Sequence, residues 1–170
     1  MVIIVFGLPG SGKSYFASRL ASKIGADYVN SDRIRKEMFK QRTYSDQEKK
    51  AVYNEMLAKM KEAVQQNSDI VLDATFQKNE TRKIFVDEMK DKDGIHFIEV
   101  QADENIIRER LKKERQYSEA DFEVYQLVKQ HNEPLKEPHL LLKSTDKEVG
   151  KNLHKAVNYL KKKDDKRTNQ

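Results

Sequence analysis

Cysteine is absent from these 170 residues, which excludes both disulfides and thiolate-ligated metal sites. No apolar run approaches membrane-spanning length and no signal peptide precedes the first strand-like segment, so a cytoplasmic protein is expected. The histidines are scattered, with no H-E-x-x-H or similar metal-ligand spacing. The guanine signature N-K-x-D is missing too, so Asp91-Lys92-Asp93-Gly94 reads as a helix-to-strand turn and not as a GTPase element. Only three prolines occur, and no linker, repeat or low-complexity tract divides the chain. One domain over residues 1–160, long enough to bury a core, followed by a basic tail at 161–170, is the expected organisation. That tail, beginning Lys161-Lys162-Lys163, supplies +3 of the formal +5 charge, leaving only +2 on residues 1–160. A charge run of this kind is ordinarily a solvated, frayed helix end, so the basic balance is weak support for a nucleic-acid partner.

What is present begins at the N-terminus. Val2-Ile3-Ile4-Val5-Phe6 has the apolar, β-branched character of a strand buried on both faces. Directly after it stand Gly7, Leu8, Pro9, Gly10, Ser11, Gly12, Lys13 and Ser14, the pattern G-x-x-x-x-G-K-[ST]. Phe16, Leu20 and Ile24 then recur at helical spacing beyond Tyr15. Strand, glycine loop and helix in this order form a phosphate-binding P-loop: glycines let backbone N–H groups turn inward, and the helix starts there with its positive dipole end. Lys13 is then placed for the β/γ-phosphates and the Ser14 hydroxyl for Mg²⁺, which makes ATP with Mg²⁺ the expected ligand.

Further strand-like runs fall at 27–29, 69–73, 95–100 and 139–143, separated by helical material. This alternation predicts an α/β fold, a five-stranded parallel sheet with helices on both faces. Ser45-x-x-Glu48 and Ser118-x-x-Asp121 fit capping boxes, and Asp103 fits the start of a third helix. Val52, Met56, Met60 and Val64 form one core stripe.

In such a sheet, ligands lie beyond the carboxyl ends of the strands. Asn30-Ser31-Asp32-Arg33-Ile34-Arg35 follows the second strand and Asp73-Ala74-Thr75 closes the third. Asp32 suits a helix N-cap, but Ser31 can serve there, and Arg35 one turn on makes Asp32 and Arg35 an acceptor-side pair. Asp73 resembles a Walker-B carboxylate and joins Ser14 as a candidate metal residue. Thr75, Asn79 and Arg82 follow at spacings suited to the acceptor side. Arg108, Arg110 and Arg115 lie in a cationic segment after the fourth strand, where an arginine lid can stabilise phosphoryl-transfer charge. Within it Arg110 can pair with Glu114 at i,i+4.

This ordered set resembles the small P-loop kinases related to the phage polynucleotide 5′-kinase domain, a group also labelled AAA-type ATPases. The resemblance covers roughly residues 1–145. It implies a three-layer, adenylate-kinase-like P-loop NTPase fold with a small helical lid. It also implies Asp32 as general base, Arg35 as acceptor-binding residue, Asp73 supporting the metal or acceptor, and a lid arginine clamping the phosphates. Relatives often carry R-L-x-x-R in the lid; here Glu114 takes the second arginine position and Arg115 follows it. Zeta-toxin-like and chloramphenicol phosphotransferase-like kinases share the motif order, so the fold leaves the acceptor open.

The expected activity is ATP-dependent transfer of the γ-phosphoryl to a hydroxyl acceptor. A nucleic-acid 5′-OH acceptor predicts a basic groove, for which Lys36, Lys40 and Arg42 are available. A small-molecule acceptor predicts a closed pocket walled by Phe39, Tyr44 and Phe76. An ATPase without an organic acceptor requires Asp32 to face away from the γ-phosphate position. No membrane or obligate protein partner is indicated.

Overall fold

The computed structural model describes residues 1–89, 94–113, 118–145 and 147–168, with side chains described through residue 162. Arg115, Glu114 and the turn at Asp91–Asp93 therefore lie outside the described residues. Among the described residues, five strands alternate with seven helices. The strands are β1 (Val2–Phe6), β2 (Asp27–Asn30), β3 (Ile70–Ala74), β4 (Ile95–Gln101) and β5 (Leu140–Lys143). The helices are α1 (Lys13–Ile24), α2 (Ser31–Met38), α3 (Asp46–Gln65), α4 (Asn79–Glu88), α5 (Glu104–Leu111), α6 (Phe122–Gln130) and α7 (Val149–Thr168). All strand pairings are parallel, in the order β2-β3-β1-β4-β5.

Period-two alternation divides β1 between two cores. Val2, Ile4 and Phe6 pack with Val52, Met56 and Met60 of α3 and with Phe76, Phe85 and Phe97. Ile3 and Val5 pack on the opposite side with Phe16, Ala17 and Leu20 of α1 and Ala156 and Leu160 of α7. Both faces are covered, so all five β1 residues are buried. The stripe on α3 is completed by Ala63, while Val64 is only partly buried. Strict i+4 steps drift about 40° each at 3.6 residues per turn, so after three residues an i+3 step brings the stripe back to the sheet.

Sheet register positions the chemistry. Val5 pairs with Asp73 and Phe6 with Ala74, while Asn30 pairs with Asp73 from the other side. The glycine loop, the end of β2 and the end of β3 thus emerge at one level of the sheet. The helix after residue 118 starts later than its predicted box: Asp121 is the N-cap of α6, and its carboxylate accepts from the Val124 N–H at 2.9 Å. At Asp103 the cap position is right, but no side-chain bond is made. The basic run from Lys161 continues α7 to Thr168 with no break at residue 160. Among the described residues no helix is long and apolar enough to cross a membrane.

Candidate active site

The glycine loop is built by its own sterics. Gly12 is the N-cap of α1 in the left-handed region (φ 89°), and a Cβ there would stand 2.7 Å from Ser144 Oγ. Gly7 (φ 153°) lies so close to β4 that a Cβ would meet the Val100 carbonyl oxygen at 2.3 Å. No side chain caps α1, and no acidic residue occupies its first turn. The free N–H groups and dipole of a 12-residue helix therefore face outward with Lys13 and Ser14 beside them, an arrangement suited to an anion.

Behind the loop, between α1, α5 and the β5–α7 connection, lies a cavity of about 510 Å³. Gly12, Lys13, Arg110, Ser144, Thr145 and Asn152 are among its lining residues, and Tyr15 also borders it. Arg110 Nη1 donates to the Ser11 carbonyl at 3.1 Å and to Ser144 Oγ at 3.1 Å, so α5 is fastened onto the loop. Arg108 is engaged elsewhere, its guanidinium 3.7 Å over the Phe122 ring and beside Glu104. Of the two predicted lid arginines that are described, Arg110 is thus the one that reaches the loop.

Ser14 is joined to a buried carboxylate network. Asp73 is fully buried, and its Oδ2 accepts from Tyr28 Oη at 2.7 Å and from Asn30 Nδ2 at 2.6 Å. Asn30 Nδ2 also reaches Ser14 Oγ at 3.4 Å. Burial, then the Asp73 charge, push the Tyr28 phenol far above its ordinary pKa, so it remains a donor. Asp73 Oδ1 is buried with no hydrogen-bond partner. An orphaned carboxylate oxygen next to a P-loop hydroxyl fits a hard cation. Among the described residues no three His, Cys, Asp or Glu side chains gather as a metal cluster, so such a cation would take its remaining ligands from phosphates and water.

Across the loop, α2 carries Asp32 and Arg35, the pair expected on the acceptor side. Asn30, not Asp32, caps this helix: its Oδ1 accepts from the Arg33 N–H at 3.0 Å. That frees Asp32 to face Arg35 (Oδ1 to Nη1, 3.4 Å) and Ser118, whose side chain hydrogen-bonds to it. Asp32 also couples electrostatically to Lys13 and Asp73. Burial raises its pKa, outweighing the lowering by Lys13 and Arg35. Arg35 is buried against Glu48, Nε to Oε1 at 2.8 Å, and stacks on Tyr44 with 4.9 Å to the ring centroid. Ser45 caps α3 as expected, its Oγ accepting from the Glu48 N–H at 3.2 Å, but the Glu48 carboxylate does not return to the Ser45 N–H. Its Oε2 instead holds the turn before the helix, accepting from the Thr43 and Tyr44 N–H groups at 2.8 and 3.2 Å.

Several predicted acceptor residues are placed differently. Arg82 is buried and donates to the Phe76 and Glu133 carbonyls, fastening α4 to the chain after β3 and after α6. Phe76 is fully buried against Tyr53 and Phe85, a core residue where a pocket wall was expected. Thr75 Oγ1 lies 3.5 Å from the Tyr53 hydroxyl. Arg42 bonds Glu119, which also accepts from the Tyr44 hydroxyl at 2.8 Å. This bridge ties the segment before α6 to the chain between α2 and α3. Sequence reasoning missed Tyr28, Ser118, Glu119, Ser144, Thr145 and Asn152. Ser144 and Thr145 directly follow β5, so the strand-end rule that found Asp32 and Asp73 reaches them as well.

Residues 2–135 match the protein family described as AAA domain. A probable gluconokinase of Dictyostelium discoideum is 23% identical over 125 residues, which is 69% of this chain and 62% of that protein. The match therefore spans under two thirds of that relative. A sugar kinase from Janibacter sp. HTCC2649 superposes with a TM-score of 0.72 at 16% identity, covering 94% of each chain. The Mycobacterium tuberculosis APS kinase CysC, in complex with AMPPNP and APS, gives 0.69 at 16% identity over 94% of this chain and 96% of that one. Chaetomium thermophilum Kti12 in complex with ADP-AlF3 gives 0.65 at 20% identity, covering 93% and 98%. At these identities the likeness establishes the P-loop kinase-type fold.

Proposed function

The chain belongs to the AAA domain family, whose match covers most of its length, and from that premise we propose that it is an ATP- and Mg²⁺-dependent phosphotransferase acting on a small hydroxyl compound. One observation carries the proposal: Asp32, a desolvated carboxylate of raised pKa, faces Arg35 at 3.4 Å and feels the charge of the P-loop lysine instead of capping its helix. The loop N–H groups, the α1 N-terminus and Lys13 hold the triphosphate. The base and ribose of ATP occupy the cavity between Arg110 and Ser144–Asn152. Ser14 Oγ and Asp73 Oδ1 are the groups that would hold Mg²⁺, which when bound neutralises charge on the β- and γ-phosphates. Asp32 accepts the proton of the acceptor hydroxyl as its oxygen bonds the γ-phosphorus, and the bond to the β-phosphate oxygen breaks to leave ADP.

A small acceptor is favoured by the Arg42–Glu119–Tyr44 bridge and the Ser118–Asp32 bond, which cover the acceptor side. The gluconokinase and sugar kinase names of its relatives support the same class. A nucleic-acid 5′-OH acceptor, implied by the polynucleotide kinase resemblance, needs that cover to open. Its phosphates would meet an Arg35 already held by Glu48 and Asp32.

The test is transfer of radiolabelled γ-phosphate to sugars, sugar acids, nucleosides, aminoglycosides and 5′-OH oligonucleotides. Label on a small hydroxyl compound, lost in Lys13→Ala and Asp32→Asn while Asp32→Asn still binds ATP, is the expected result. Label only on the oligonucleotide replaces the acceptor class. Wild-type transfer by Asp32→Asn removes the assigned base, and hydrolysis without transfer to any acceptor removes the kinase itself.

A further inference from the structure

Asn30 uses every polar atom of its side chain. Oδ1 accepts from the Arg33 N–H at 3.0 Å as the cap of α2, and this bond fixes which way the amide is turned. Nδ2 is thereby directed at Asp73 Oδ2 (2.6 Å) and Ser14 Oγ (3.4 Å). Tyr28 supplies a second donor to the same Oδ2 at 2.7 Å, and its hydroxyl also lies 3.5 Å from the Ser14 carbonyl. Two donors on one oxygen pin the carboxylate and leave Oδ1, buried and without a partner, as its one available acceptor. We propose that Tyr28 and Asn30 are positioning residues that orient Asp73 Oδ1 and Ser14 Oγ toward the divalent cation of a bound nucleotide. Through its cap, Asn30 also ties that cation site to the helix bearing Asp32.

The inference rests on the P-loop binding a metal–nucleotide complex. Asn30→Ser keeps an N-cap oxygen but is too short to reach Asp73, whereas Tyr28→Phe removes one donor and keeps the ring that lies near Arg33. Outer-shell changes of this kind cost roughly 10–100-fold in metal affinity. The affinity of the full-length protein for a fluorescent ATP analogue is measured without divalent metal and across a Mn²⁺ titration, with bound Mn²⁺ counted by electron paramagnetic resonance. Metal-free affinity is expected to stay within about two-fold of wild type in both variants, while Mn²⁺ affinity falls roughly 10–100-fold in Asn30→Ser and by less in Tyr28→Phe. Unchanged Mn²⁺ affinity overturns the proposal. So does an equal loss with and without metal, which marks a role in folding alone. If Asn30→Ser gives no cooperative melt, Tyr28→Phe decides the matter on the same criterion. Failure of the wild-type protein to bind the analogue at all refutes the nucleotide assignment instead, and is read before either variant.

Discussion

Replacing Glu48 by Gln removes one charge and no heavy atom, yet it should be among the more damaging isosteric changes in the molecule. Both Glu48 oxygens face donors: Arg35 Nε stands 2.8 Å from Oε1, and the Thr43 and Tyr44 N–H groups with the Thr43 hydroxyl surround Oε2 at 2.8–3.2 Å. Either orientation of a Gln amide turns its NH₂ toward a donor and leaves at least one buried polar group without an acceptor. Breaking a buried ion pair costs about 3–5 kcal/mol. The lower end applies, since Arg35 keeps Asp32 at 3.4 Å. About 3 kcal/mol in a chain of this size corresponds to a fall in Tm of roughly 6–12 °C.

The pH dependence has a definite sign. Burial works to raise the Glu48 pKa, but the Thr43 and Tyr44 donors and Arg35 outweigh it and hold the carboxyl below its ordinary value. Its stabilisation is therefore present above the ordinary carboxylate pKa and lost as pH falls through the lower folded-state value. Melting followed by circular dichroism should show the wild-type and Glu48→Gln curves well apart at pH 7 and converging in acid. A Tm within 2 °C of wild type at pH 7, or a gap that persists unchanged in acid, would refute the reasoning.

Asp32→Asn should be at least as stable as wild type at neutral pH, by about 0.5–2 kcal/mol if the site holds its carboxylate against stability. Burial raises the Asp32 pKa, so the folded state prefers the protonated form; the cost of the charge appears as pH rises through that pKa and vanishes below the ordinary one. A clear loss of stability at pH 7 in urea melts counts against this. For the same reason the acid limb of the kcat profile should lie above the ordinary carboxylate range, and a limb at or below it would exclude Asp32 as the titrating base. Glu119→Ala removes a half-exposed partner of Arg42 and Tyr44. Stability should be little changed, as for an exposed ion pair, while KM for the acceptor rises; an unchanged acceptor KM would show that the bridge does not shape the acceptor side.

The donor half was legible in the sequence because its constraints are local. Residues 7–14 must turn where only glycine fits, and the flanking strand and helix carry their own periodicities. All five strands were placed to within a residue or two; β1 and β3, buried at every position, are the ones that read as apolar runs because both their faces are covered. Asp32 and Asp73 were singled out by one rule, that ligands gather beyond the strand ends. Arg82 and Phe76 obeyed the same rule and turned inward, since spacing along a chain does not reveal which way a side chain faces. The Arg42–Glu119 and Ser118–Asp32 contacts join segments more than 70 residues apart, and no local pattern encodes such a meeting.

The strained backbone supports the same division of labour. Tyr44 (φ 55°) and Phe76 (φ 44°) hold the left-handed conformation without being glycine, and each follows a segment with residues expected on the acceptor side. Such positions persist only where their surroundings over-determine them. Tyr44 is fixed by Glu48 through its N–H and by Glu119 through its hydroxyl; Phe76 is fixed by the Tyr53 hydroxyl on its N–H and by its buried ring. Glu48 is therefore a common support: one of its oxygens holds Arg35 and the other holds the turn that presents Tyr44. Asn30 does the corresponding work between α2 and the Ser14–Asp73 pair. Asn30 thus ties the helix bearing Asp32 to Ser14 and Asp73, while Glu48 ties Arg35 to the turn that presents Tyr44. Changes at Glu48 should then disturb the acceptor side while leaving nucleotide affinity intact, and changes at Asn30 should act first through the metal.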